Sequence, residues 1–208
     1  MNRAEIKNWA KSKIKGHIIE LLVAIIVVNV LSTLTIGEKV DFVDGKLTVT
    51  SYGISLGIFF YFVTVGFAYY MTQFIKDKKH EFMDLFSYAK DFVRIFVVNI
   101  LQTIFVFLWC LLLIIPGIIK SIAYALVPLI LSDAKYKDLG YMETLRKSED
   151  MMRGHKMDLF VFELSFIGWH ILAVFTLFLL EIWILPYYYT AKYKFLNDIK
   201  DEYEKTNK

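Results

Sequence analysis

Six stretches of the chain are almost pure hydrocarbon, and polar blocks hold them apart. They run Ile18–Ile36, Tyr52–Ile75, Ile95–Ile115, Ile118–Leu131, Leu159–Leu180 and Ile182 to about Leu196. A buried helix of a soluble protein keeps a polar stripe, and these stretches show none. A bilayer crossing needs about 20 apolar residues, a length that several of them reach. The pattern predicts an all-α fold. It is a polytopic integral membrane helical bundle of about six transmembrane helices in three hairpins, forming a single domain over residues 1–208 with interfacial amphipathic helices. The third and fourth stretches meet at Pro116-Gly117. As one helix, their 37 residues would reach ~55 Å, too long for a hydrocarbon core of ~30 Å. A hairpin apex at Pro116 and Gly117 is the better reading. The proline removes a backbone donor, and the glycine permits a reversal at positive φ.

The polar blocks carry weaker periodicities. Ile6, Trp9, Ala10 and Ile14 fall near one helical face among five basic residues, the pattern either of an amphipathic helix on a membrane surface or of a solvated basic leader. Val43-Asp44-Gly45-Lys46 is the two-residue turn signal of a β-hairpin. Gly53, Gly57 and Gly66 in the second stretch form a small-residue run that would let helices approach closely. Asp138 is placed to cap an interfacial helix through Tyr141, Met142, Leu145 and Met152, with Gly154 to end it. Pro186 interrupts the last stretch, where Tyr187-Tyr188-Tyr189 with Lys192 and Lys194 reads as an interfacial belt with snorkelling anchors.

Composition agrees with the pattern. Hydrophobic residues make up 57% of 208, and mean hydropathy is +0.48, against roughly 45–50% apolar in ordinary soluble domains. Basic residues are segregated. Of 24 Lys and Arg, 21 lie in residues 1–16, 76–94, 133–157 and the tail from Lys192, which all fall on one side of a six-span arrangement. The positive-inside rule makes that side cytoplasmic, with both termini inside a cell membrane. The first stretch is 19 residues long, beyond a signal-peptide core of roughly 7–15, so it reads as a retained span. A net charge of +3 with no aromatic-interleaved basic stripe points to no nucleic-acid partner. Cys110 is the single cysteine, which excludes a disulfide framework or a thiolate metal site.

Ionisable groups inside a span are costly and mark candidate sites. Glu20 and Glu163 lie a few residues in from the cytoplasmic face, Lys120 and Glu181 near the outer face, and His170 near the midplane. Lys120 and Glu181, each beside a turn, are placed to pair. Glu163 and His170 are seven residues apart and share a helical face. With Asn99 and Gln102 they could form a polar path through the bundle, or each could satisfy a local interhelical contact. There is no HExxH, no Cys/His cluster, no GxSxG elbow and no Walker A sequence. Ser165 has no base at a matching position. No cofactor is indicated, and the partners indicated are membrane lipids and other membrane proteins or a second copy of the chain.

Three blocks carry a family likeness. Pro116-Gly117-Ile118-Ile119-Lys120, the Ser148…Met152…Gly154-His155-Lys156 block, and Leu164-Ser165-Phe166-Ile167-Gly168-Trp169 together resemble the DUF975 family. These are small polytopic membrane proteins, mostly of Gram-positive bacteria, without assigned biochemistry. They are distantly similar to the membrane domain of some glycerophosphodiester phosphodiesterases. Where the family often has a glycine-rich link before its last helix, this chain has Phe178-Leu179-Leu180-Glu181. The resemblance implies a fold and no catalytic residues. The leading expectation is therefore a non-enzymatic membrane module. The alternative is a small transporter using Glu163 and His170.

Overall fold

The computed structural model describes residues 3–33, 38–43, 46–51, 56–176 and 178–206. Nine α-helices and one two-stranded hairpin are found among them: α1 Arg3–Lys13, α2 Ile18–Thr33, β1 Glu38–Val43, β2 Lys46–Ser51, α3 Tyr61–Ile75, α4 Phe92–Leu112, α5 Ile114–Ala123, α6 Val127–Leu131, α7 Tyr141–Met151, α8 Lys156–Phe175 and α9 Glu181–Thr206. The antiparallel register sets Val43 opposite Lys46, leaving two residues for the turn. That turn, Asp44-Gly45, lies outside the described residues, as does Gly53 of the small-residue run.

Two of the three long apolar stretches are little buried, while the most apolar window of the third, Ile114–Leu131, has 44% of its residues buried. The most apolar windows of Phe82–Leu112 and Lys156–Phe175 have only 17% and 22% of their residues buried. Leu111, Leu112, Ile114, Ile115 and Phe175 are each more than 65% exposed. The core is organised instead around α9, a helix of nearly neutral hydropathy that packs against α1, α2, α3, α7 and α8. It buries Tyr187, Thr190, Tyr193, Phe195, Asn197 and Lys200. Pro186 does not interrupt it, because the helix runs through the proline to Thr206.

Among the described residues three helices are long and apolar enough to cross a membrane: Phe82–Leu112, Ile114–Leu131 and Lys156–Phe175. There are up to four if α1 and α2, which meet at 107°, count as one bent span. The described residues thus show three to four of the expected six, and the other apolar stretches form shorter or less apolar helices there. The described helices α2 and α3 have 16 and 15 residues, or about 22–24 Å of rise against a ~30 Å core. The apolar part of α9 gives way to a charged half. The apolar face of α1 is also not free for a membrane surface. Ile6, Ala10 and Ile14 are buried, and α1 lies on α9.

The apex differs from expectation. The chain turns at Leu113, which is extended (φ −161°, ψ 142°) between α4 and α5. Pro116 stands in the first turn of α5, where a missing N–H costs no helical bond. Gly117 is helical, and among the described residues positive-φ glycines are only Gly16 and Gly154. Its role is space. A Cβ there would lie 2.1 Å from Cys110 Sγ and 3.0 Å from Cys110 Cα. Gly66 does the same in α3, where a Cβ would lie 2.1 Å from the Leu85 carbonyl oxygen. That carbonyl belongs to a 3-10 helix, Phe82–Asp91, in a stretch the sequence shows only as a polar block. The cap of α7 also shifts: Gly140 N–H donates to Glu143 Oε2 at 2.9 Å, so Asp138 is not the cap. Gly154, at φ +89°, does turn the chain after α7.

Candidate functional site

The α8–α9 hairpin carries a seam of polar side chains between otherwise apolar faces. Near its turn, His170 Nδ1 of α8 lies 2.9 Å from Glu181 Oε1 of α9. Two turns of helix lower, Glu163 accepts from the Tyr188 hydroxyl at 2.6 Å and pairs with Lys192 at 2.9 Å. Lys192 also donates to the Tyr188 hydroxyl at 3.0 Å, which closes a triangle. The His170 and Tyr188 rings meet edge-on, with centroids 5.8 Å apart. Glu163 and His170 thus share the face that their spacing predicts, but they do not bond to each other. Lys7 of α1 completes the seam, donating to Ser165 Oγ with its ammonium 4.5 Å from the Phe166 ring centroid.

The expected Lys120–Glu181 pair does not form. Lys120 pairs with Glu149 of α7 and lies over the rings of Tyr124 and Trp109. This ties it to the block assigned to the cytoplasm and not to the outer edge. Glu181 is taken by His170, and its Oε2 is buried with no hydrogen-bond partner among the described residues. Asn99 and Gln102 sit on α4, which packs on α3, α5 and α7 and lies apart from the seam. Gln102 Oε1 is buried without a described partner. Glu20 is held by the Tyr70 hydroxyl and lies 3.2 Å from both His17 and His80. Pro116 and Gly117 shape the α4–α5 hairpin and contribute no polar group to any of these clusters.

A second network lies at the opposite end of α9. Lys200, only 6% exposed, pairs with Asp133, while Glu204 accepts from Tyr136 and pairs with Lys135 at 3.1 Å. Arg94 of α4 donates to the Tyr136 and Leu139 carbonyls. Burial pushes the Asp133 carboxyl up, but the hydrogen bonds from Lys200 and the Lys135 N–H, with both lysine charges, hold it below its ordinary value. Glu149 and Glu204 are held low in the same way against burial, by Lys120 and Tyr124 and by Tyr136 and Lys135 respectively. The Tyr136 hydroxyl is pushed up by burial and by the Glu204 carboxylate.

Sequence reading missed Glu149, Tyr70 and the role of Tyr188. The four-residue spacing of Tyr188 and Lys192 was the available signal, since it stacks both on one face. Among the described residues no group of three or more His, Cys, Asp or Glu could hold a metal ion. A cavity of about 260 Å³ beside Lys76, Asp133 and Lys200 opens at the polar end. One of about 460 Å³ between α5 and α8 is lined almost wholly by apolar side chains. In the seam, charges and hydroxyls satisfy one another, except for Glu181 Oε2, which has no partner among the described residues.

A family described as "Protein of unknown function (DUF975)" matches residues 1–120 and 110–203. No curated protein and no solved structure matches the chain.

Proposed function

The chain belongs to the DUF975 family, and from that premise we propose that it is a multi-pass cell-membrane protein acting as a non-enzymatic module within the bilayer. Such a module serves as a scaffold, accessory subunit or protective factor through contacts with lipids and neighbouring membrane proteins. One observation carries the reading: the distribution of apolarity is inverted. Two of the three long apolar helices are largely exposed, while the charged and aromatic α9 fills the core. In water an exposed apolar surface of that extent would drive association, since soluble monomers rarely expose patches beyond a few hundred Å². In lipid it carries no such cost. The ionisable groups of the apolar half support a module over a catalyst, because Glu20, Lys120, Glu163 and His170 are each held by a partner. Basic residues cluster in residues 1–16, 76–94, 133–157 and the tail from Lys192, which supports a cytoplasmic side for both termini by the positive-inside rule.

Membrane washing at alkaline pH and thiol labelling test this. In a Cys110→Ala background, Thr48→Cys should label from outside intact cells with an impermeant reagent, and Lys137→Cys only after lysis. Release of the protein by the wash, or labelling of position 137 from outside, would overturn the reading.

A second reading, a small secondary transporter, is favoured by Glu181 Oε2 at the upper end of the seam, which has no partner among the described residues. Its mark would be a metabolite that raises the melting temperature of the wild type and not of Glu181→Gln.

A further inference from the structure

The groove between α5 and α8 is unlike the rest of the apolar surface because a single unpaired ammonium sits in it. Ile115, Ile119 and Ile122 of α5 face Met157 and Phe160 of α8 across a cavity of about 460 Å³, and Lys156 is the charged member of its lining. That volume lies within the ~300–1,000 Å³ typical of ligand sites. Lys156 makes no ion pair or hydrogen bond with any described residue. Glu149, a carboxylate on which its charge acts, is already held by Lys120 and Tyr124. Lys156 is also the first residue of α8, a 20-residue helix whose N-cap His155 contributes no side-chain cap. The free backbone N–H groups of that first turn add a partial positive charge beside the ammonium. Asp158 lies two residues on, a spacing that does not bring it onto the face of Lys156.

We propose that this groove is a binding site for one anionic diacyl phospholipid of the cytoplasmic leaflet, with an acyl chain along α5 and α8 and the phosphate at Lys156. The proposal rests on the membrane reading above and adds selectivity to it. A chain-only contact would accept any lipid, whereas an unpaired ammonium next to an uncapped helix start favours an anionic headgroup. Lys156 is suited to this because its stem can lie along the apolar wall while its head reaches the lipid–water boundary.

The test uses the full chain purified in a neutral detergent and measures thermal unfolding with added dioleoyl phosphatidylglycerol or dioleoyl phosphatidylcholine. Phosphatidylglycerol should raise the melting temperature by about 2–4 °C more than phosphatidylcholine does. Lys156→Gln should abolish that difference without lowering the lipid-free melting temperature. Ile119→Trp, at a position already 47% exposed, should fill the groove and shrink the difference. Lys147→Gln, at a lysine beside Tyr203, should leave it intact. Equal stabilisation by the two lipids, or a preference that survives Lys156→Gln or Ile119→Trp, would overturn the site. Release of the protein from membranes by the alkaline wash would instead remove the reading on which it rests. A protein that stays in the membrane but shows no lipid preference would sink the site alone.

Discussion

The two long hairpins both present exposed apolar side chains, but they are held by different forces. In α4–α5 the turn is one extended residue, Leu113, and the arms close by backbone approach, with Gly117 set against Cys110. Among the described residues no ion pair joins these two helices. In α8–α9 the arms carry the His170–Glu181 and Glu163–Lys192 pairs, and the turn runs through Phe178 at φ +63°. On the proposed membrane reading, lipid offers helices no hydrophobic reason to associate, so close packing and interhelical polar bonds must do so. This protein uses one device in each hairpin. A hairpin whose arms share no ion pair, only the Lys120 ammonium over the Trp109 ring, depends on a small residue, and one with paired charges does not.

The sharpest way to break the comparison is to remove the small residue. Gly117→Val should destabilise the protein by about 3 kcal/mol, the upper part of the range for overpacking a close contact. The melting temperature in detergent reads the effect. Cys110→Ala removes the Sγ contact but leaves Cα and Cβ at 3.0 and 3.1 Å from the new Cβ. The cost of Gly117→Val should therefore fall in that background and not vanish. An equal cost in both backgrounds would mean that the Cys110 contact is not what holds the first hairpin.

The second hairpin should fail through charge. Glu163 and Lys192 are 32% and 28% exposed. Breaking them should thus cost less than the ~3–5 kcal/mol of a fully desolvated pair, or about 1–2 kcal/mol. Glu163→Gln should lose that amount, because Lys192 keeps its charge and loses its counter-ion. The double change Glu163→Gln with Lys192→Met should recover much of the loss. Strict additivity in the cycle would show that the pair contributes nothing and that the second hairpin, too, is held by packing.

These contrasts also mark what the sequence could tell. The spans of α4 and α8 were legible within three to five residues, since Ile95–Ile115 became Phe92–Leu112 and Leu159–Leu180 became Lys156–Phe175. Uninterrupted apolar runs leave few alternatives. The β-hairpin register was legible from one dipeptide. The apex was not, because Pro-Gly signals a break without saying whether the glycine bends the chain or clears space for a neighbour. The pairings failed for a related reason. His170 with Glu181, and Glu163 with Tyr188, are equidistant from a turn centred near residue 176, so both follow once that turn is placed. The apolar pattern put it near Glu181, between Leu180 and Ile182, whereas the chain turns between Phe175 and Glu181. Lys120 with Glu149 depends on how α7 docks against α5 and α6, which no local pattern encodes.

The smallest expected effect concerns that turn. Phe178 holds a left-handed backbone at φ +63° and donates its N–H to the Ala173 carbonyl at 2.8 Å. A non-glycine residue held there stores strain on the order of 1–3 kcal/mol, which glycine would not incur. Two terms oppose the gain. Glycine loses more chain entropy on folding, roughly 0.5–1 kcal/mol. The ring, 61% exposed, also gives up whatever contact it makes with neighbouring apolar groups. Phe178→Gly should therefore stabilise the protein by less than about 1 kcal/mol. The informative control is Leu179→Gly. Leu179 is 70% exposed and has no positive φ, so glycine relieves nothing there and should cost about 0.5–1 kcal/mol. The two substitutions should move the melting temperature in opposite directions. If both lower it equally, Phe178 is not strained, and the second hairpin turns as freely as the first does at Leu113.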